Sequence, residues 1–234
     1  CIRDRGYLDV NPCSGLKPPT GGGERERVLG DQEIAAIWKA TEGLSLQWEA
    51  IFKLLMLTAQ RKNEVIGMEW AEIDEGEALW KIPGRRTKNG RAHEVPLTPL
   101  MMEILSKVPR IEGSKFVFTT TGKGPLRGQS RVKRDLDVAA AKFIANDSSD
   151  SAEVDPLPHW TTHDLRRTAT TGMARLGVPP HVADALLNHK SGVVRGVAAV
   201  YNRYAYLDES RNALEAWEQH LRTLLCSKSS ERLG

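Results

Sequence analysis

Cysteine is scarce in this chain: three in 234 residues, Cys1, Cys13 and Cys226, odd in number and set toward the two ends. That excludes a disulfide framework and fits a reducing cytoplasm. Long apolar runs are absent too. The stretch Leu54 to Leu57 directly follows Lys53 and falls far short of the roughly 20 residues that cross a bilayer. The opening residues lack the pattern of a signal peptide, so no membrane partner is expected. Charge of one sign is not in large excess either, the formal net charge being +3.

What the chain does have is an uneven distribution of that charge. Residues 81–134 carry 13 Lys or Arg against three acids, whereas residues 31–80 carry ten acids against four bases. A basic middle on an otherwise balanced protein is the footprint of a surface that follows phosphates, although a solvated charged face has the same composition. The 40% hydrophobic content is enough for a sizeable core.

Residues 1–23, with Asn11-Pro12, Pro18-Pro19 and Gly21-Gly22-Gly23, read as a linker. Residues 24–234 then form one domain. Asp31 is placed to cap a helix carrying Ile34, Ile37, Trp38 and Thr41. The next helix, from Trp48 to Leu57, is apolar nearly all round and therefore central. Strands are expected near 78–82, 93–97 and 115–119, with a helix near 99–107. Val132, Leu136, Ala139, Ala140 and Phe143 mark a further helix, and Asn146 to Ser151 a surface loop. The fold class is α+β, mainly α-helical, with a small three-stranded antiparallel sheet.

The densest chemistry lies in His163-Asp164-Leu165-Arg166-Arg167-Thr168. Leu165, Thr168, Ala169, Met173 and Leu176 give this segment a helical stripe, capped at Thr162 and ended at Gly177. His163 and Arg166, three apart, share a face. A fixed cation beside a titratable nitrogen near a helix start suits a phosphate undergoing transfer. Four other places complete a candidate set. Arg61 stands where one buried helix stops and another begins, and Lys88 in a polar turn between two strands. His189 ends Leu186-Leu187-Asn188-His189, after a helix started by Pro179-Pro180, and Tyr201 lies a short distance beyond.

Taken in order, Arg61, Lys88, His163, Arg166, His189 and Tyr201 resemble the catalytic set of the tyrosine recombinases, the phage integrase family. The resemblance rests on TAQRKNEVIGMEW, TKNGRAHEVPL, THDLRRTATT, and LLNH followed by YNRY, and spans roughly residues 24 to 220. It is closest to integrases of prophages and genomic islands. It implies the recombinase catalytic fold and metal-free, ATP-free cleavage of DNA. Tyr201 would be the nucleophile, leaving a 3′-phosphotyrosyl bond. Arg61, Arg166 and His189 would hold the phosphate, Lys88 would protonate the leaving 5′-hydroxyl, and His163 would assist proton transfer with the tyrosine. It further implies double-stranded DNA attachment sites and other protomers of a synaptic tetramer as partners, no cofactor, and a bacterial or phage-encoded protein acting at the nucleoid.

Each residue has a plainer role as well. Arg61 can pair with Glu64 on the surface, and Arg85, Arg86 and Arg91 crowd the turn of Lys88. His189 can be a helix C-cap. His159 and His163 are four apart, but Pro158 and Trp160 oppose a regular helix and hence a metal site through both. Tyr201 falls twelve residues after His189, two or three more than is usual in the resembling family, so that an insertion in 191–196 is implied and Tyr204 and Tyr206 compete with it. The apolar stripe Leu214, Trp217, Leu221, Leu224 and Leu225 packs on its own domain or docks on a neighbouring protomer. On the second reading, deletion from about residue 208 weakens assembly more than folding. The chain opens on Cys1, and residues 6–12 look like the tail of the core-binding domain that precedes the catalytic one in the family. By itself the chain is then expected to bind DNA weakly and with strong salt dependence. A type IB topoisomerase-like strand cleaver and a non-catalytic DNA-binding module are the alternative functions.

Overall fold

The computed structural model describes residues 26–147, 157–189 and 206–230. The linker reading of residues 1–23 and most of the loop proposed at 146–151 lie outside them.

Helix α2 (Leu46–Thr58) is the element on which the others are laid, as its all-round apolar surface requires. Phe52, Leu54 and Leu57 are fully buried, and Ile51, Leu55 and Met56 nearly so. At about 1.5–3 kcal/mol for each large side chain removed from water, this one helix accounts for a large share of the apolar stabilisation. α1 (Asp31–Thr41) packs against it through the predicted face, with Ile34, Ile37, Trp38 and Thr41 all buried. Asp31 is the first helical residue and not the cap. Gly30 holds that place, and the Glu33 carboxylate reaches back to accept from its backbone N–H at 2.8 Å.

α2 ends at Ala59, which takes the left-handed conformation (φ 54°), and the chain turns directly into the short α3 (Lys62–Ile66). A three-stranded antiparallel sheet follows: β1 (Ile73–Asp74), β2 (Leu79–Ile82) and β3 (His93–Pro96), in that order. β2 is central, with Trp80 opposite both Ile73 and Val95. The strand expected at 115–119 is not part of this sheet. Val117 and Phe118 are fully buried, and the segment joins residues 68–70 through Trp70 N–H to Lys115 O and Val117 N–H to Met68 O, both 2.9 Å, with a bridge between Glu69 and Phe116. Its consecutive buried residues, Val117, Phe118 and Thr119, serve the core. The third strand is instead a pair of residues too short to leave a period.

α4 (Pro99–Ser106) starts with Pro99 in its first turn and Thr98 as cap. α5 (Gln129–Asp147) lies along α1, with Leu136 and Ala140 fully buried. α6 (Thr162–Arg175) is capped by Thr161, one residue earlier than expected. Thr161 N–H donates to Asp164 at 2.8 Å, and Asp164 is fully buried and ion-paired to Arg167. α7 (Pro180–Leu186) begins with Pro180 at its first position.

The last helix, α8 (Leu207–Ser230), places its stripe on its own domain. Leu214, Trp217 and Leu221 are buried against α6, α7, α2 and β3, and the Trp217 Nε1–H donates to Met56 O at 2.9 Å. Among the described residues, no helix is long and apolar enough to cross a membrane.

Candidate active site

Three segments far apart in sequence meet in an open cleft of about 480 Å³. It is lined by Gln60 and Arg61 from the α2–α3 turn, Glu64 from α3, Arg86, Thr87 and Lys88 from the β2–β3 turn, and His163 and Arg166 from α6. A larger groove of about 540 Å³, mainly apolar, runs between α1, α2, α4 and α8 and contains none of these residues.

Arg61 caps α3 with its backbone, while its guanidinium meets Glu64. Nη1 is 3.2 Å from Oε1, and Glu64 Oε2 accepts the Arg61 backbone N–H at 3.1 Å. This is not the exposed ion pair of the plainer reading. Glu64 is 2% exposed, and with both its oxygens engaged it fixes the direction in which Arg61 leaves the turn.

Arg166 is held more tightly. It is 4% exposed, and its hydrogen bonds among the described residues go to two carbonyls and a histidine. Nη1–H donates to Ala59 O at 2.7 Å and Nη2–H to Leu187 O at 2.6 Å, with Nη2 also 3.1 Å from His189 Nε2. A guanidinium has five donors. Three are engaged by the described residues, and Nε–H and one Nη1–H are not engaged among them. Burial, then the nearby Arg61 charge, lowers its pKa to about 10, so it stays charged at neutral pH. A buried cation bonded to carbonyls and a histidine is poised for an anion.

His163 and Arg166 share the cleft, as their spacing predicts. Burial, followed by the charges of Arg166 and Arg167, lowers the pKa of His163 and favours the neutral ring. His189 is brought to the same place by its contact with Arg166, and its Nδ1 is 3.5 Å from Asp184 Oδ1. Its pKa is also lowered, again by burial first and Arg166 second.

The β2–β3 turn separates its four cations. Arg86 is bound bidentately to Glu72 by Nε and Nη2, each at 2.6 Å, and Glu72 also accepts from Trp80 Nε1. That commits the Arg86 guanidinium to Glu72, although Arg86 also lines the cleft. Lys88 lines the cleft with its side chain exposed, whereas Arg85 and Arg91, also exposed, do not line it.

Several residues that support the site were not singled out from sequence. The end of α7 presents three carbonyls to other segments. Leu186 O accepts from Gln60 Nε2 at 2.8 Å and from His93 Nε2 at 3.0 Å. Leu187 O accepts from Arg166, and Asn188 O from Asn89 Nδ2 at 2.7 Å. These donors satisfy helix-end groups that would otherwise be left unpaired. The only sequence signal for them was polar residues at the ends of apolar runs.

Tyr201 and Tyr204 lie outside the described residues, as does the insertion at 191–196. Tyr206 is described: it precedes α8 with φ 52°, and its ring is 5.1 Å from that of His181, away from the cleft lining. His159 precedes α6 and so does not share a helix with His163. Among the described residues, no group of three His, Cys, Asp or Glu could hold a metal ion.

Comparison with known proteins supplies a second line. The sequence pattern of the phage integrase family matches residues 27–209. The chain is 29% identical over 180 residues to prophage integrase IntA of Escherichia coli K12, covering 76% of this chain and 39% of that one. It is 28% identical over 194 residues to tyrosine recombinase XerC of Mycobacterium tuberculosis, covering 80% and 63%. Its fold is similar to an integrase from mycobacterium phage Brujita, with a TM-score of 0.58 at 16% identity over 92% of this chain and 66% of that one. Lambda integrase, solved as a dimer bound to a core site, gives 0.54 at 23% identity over 83% and 68%. The chain spans less than half the length of the prophage integrases it matches, 39% and 46% for two of them.

Proposed function

Since the chain belongs to the phage integrase family, we propose that it is a site-specific DNA recombinase, a strand transferase working through a 3′-phosphotyrosyl intermediate without metal or ATP. The observation that carries this reading is the meeting of Arg61, Lys88, His163 and Arg166 in one cleft, with His189 against Arg166.

In this scheme the Tyr201 oxygen attacks phosphorus and a P–O bond forms as the bond to the 5′-oxygen breaks. Arg61 and Arg166 grip the non-bridging oxygens, since guanidinium combines permanent charge with a fixed fork of donors. His163, favoured neutral by its surroundings, takes the phenolic proton, and Lys88 gives one to the departing 5′-oxygen. Religation runs the same steps in reverse and conserves the bond energy in the protein–DNA link. For His189 to donate to the same phosphate, its Nε2 must carry a proton. DNA binding is then accompanied by a tautomer change or by protonation of that ring.

The partners in this reading are duplex attachment sites and further protomers in a synaptic tetramer, and the setting is the cytoplasm. Lambda integrase, whose fold is similar, has been solved as a tetramer bound to a Holliday junction. The relatives named above are integrases and a recombinase, which does not favour the topoisomerase-like alternative. The test uses nicked duplexes tiled across the DNA that adjoins the chain's own coding sequence. The unaltered protein should give a covalent adduct resistant to detergent, and Tyr201→Phe none. An adduct retained by Tyr201→Phe would move the nucleophile elsewhere.

A further inference from the structure

Two helix ends near the cleft are built alike. At the end of α6, Val178 N–H donates to Met173 O and Gly177 N–H to Ala174 O, both at 3.0 Å, with Gly177 left-handed (φ 84°). At the end of α7, His189 N–H donates to Asp184 O and Asn188 N–H to Ala185 O, both at 3.0 Å, with Asn188 left-handed (φ 47°). Both are Schellman turns, for which glycine is the least strained choice and asparagine a second one. Backbone conformation alone therefore does not account for an asparagine at 188.

Its side chain does. Asn89, the residue after Lys88, donates through Nδ2 to Asn188 O at 2.7 Å and to Asn188 Oδ1 at 2.8 Å. Asn188 Nδ2 is 3.3 Å from Asn89 Oδ1, which also accepts the Arg91 N–H at 3.1 Å. Asn188 Nδ2 also donates to Arg91 O across 3.4 Å, so the Asn188 side chain meets the turn at two places. Thr87 Oγ1 bonds inside the turn, to Arg91 O at 2.7 Å and Gly84 O at 3.0 Å. Gly84 closes the turn tightly, since a Cβ there would stand 2.5 Å from Gly90 O. The turn is thus closed on itself and attached to the His189 end of α7 through the side chains of Asn89 and Asn188.

We propose that Asn89 and Asn188 are positioning residues: their amide pair holds the Lys88 turn against α7, so that Lys88 is presented to the phosphate held by Arg166 and His189. This rests on the recombinase reading, with Lys88 as the proton donor to the leaving group. The Schellman turn holds His189 without the amide, so loss of the pair falls on the lysine.

The test measures single-turnover cleavage by the full polypeptide on the nicked duplex that gives the adduct, made with either an ordinary scissile phosphate or a 5′-bridging phosphorothiolate. On the second substrate a 5′-thiolate leaves and needs no proton. Asn89→Ala should slow cleavage of the ordinary phosphate by about 10- to 100-fold, the scale of a misplaced catalytic group. On the phosphorothiolate it should cleave within about twofold of the unaltered protein, as Lys88→Ala should, because no proton is then required. Asn188→Gly keeps the left-handed turn and the bond from Asn89 to the carbonyl at 188, so it should slow the ordinary phosphate less than Asn89→Ala does and again leave the phosphorothiolate within about twofold. The double variant should lose less than the product of the two single losses, because the singles share the amide–amide contact. Arg166→Lys should be slow on both substrates.

Equal slowing of Asn89→Ala on both substrates, multiplicative losses in the double variant, or unchanged rates would each overturn the positioning role. If Asn89→Ala fails to fold, Asn188→Gly decides the matter by the same two rates. Absence of any adduct with the unaltered protein would overturn the recombinase reading itself.

Discussion

Burial decides which side chains around the cleft carry charge. His93 on β3 is 9% exposed and donates from Nε2 to Leu186 O. Burial lowers its pKa to about 4, so the ring is neutral in the folded protein near pH 7. An unfolded histidine titrates near 6.5. Between pH 6.5 and 4 the unfolded chain therefore binds the extra proton, and stability is lost as pH falls through that window while being complete above it. By pH 5 the loss is on the order of 2 kcal/mol. His93→Gln keeps an N–H for Leu186 and removes the titration. Urea denaturation should then show a shallower loss of stability from pH 6.5 to 5 than in the unaltered chain, and parallel curves would disprove the assignment. Residue types such as Arg61 and Arg166 were legible in the sequence because the proposed chemistry uses guanidinium. That Arg86 is committed to Glu72 was not, since the two are 14 residues apart on different elements.

Helices were the most legible elements, because a period near 3.6 accumulates over many residues. α2, α5 and α8 fall where their stripes place them, and the ends of α1 and α6 differ by one residue where a backward-reaching Glu33 or Asp164 selects the preceding residue as cap. The close approach of α6 and α8 had no such signal. A Cβ on Gly172 would stand 2.2 Å from a ring carbon of Trp217, and that indole is fixed by its bond to Met56 O. Gly172→Ala should therefore destabilise by about 1–3 kcal/mol through overpacking, seen as a lower urea midpoint. An unchanged midpoint would mean that α8 can move aside.

For the molecule as a whole, α8 is part of the core. It touches α1, α2, α6, α7 and β3. Removing even one large core side chain costs about 2–5 kcal/mol, against a total stability of roughly 5–15 kcal/mol. Deleting residues from 208 onward takes away Leu214, Trp217 and Leu221 together. The truncated chain should lose its cooperative thermal transition, in contrast to the expectation that assembly suffers more than folding. A truncated chain with a sharp transition near that of the intact one would refute this.

By itself the sequence determined the helical content, the central position of α2, the basic middle, and the cationic and imidazole groups proposed to hold a phosphate. Each is written in residue type or in a period only a few residues long. Tertiary structure alone decided that Ile73–Asp74 and not 115–119 completes the sheet, and that three carbonyls at the end of α7 are satisfied from three other segments. It also decided that Asn89 meets Asn188 across 99 residues of chain. The reason is one of range: a local pattern specifies which surface an element buries, while hydrogen-bond partners are chosen only when distant backbone groups are brought together and must be satisfied away from water.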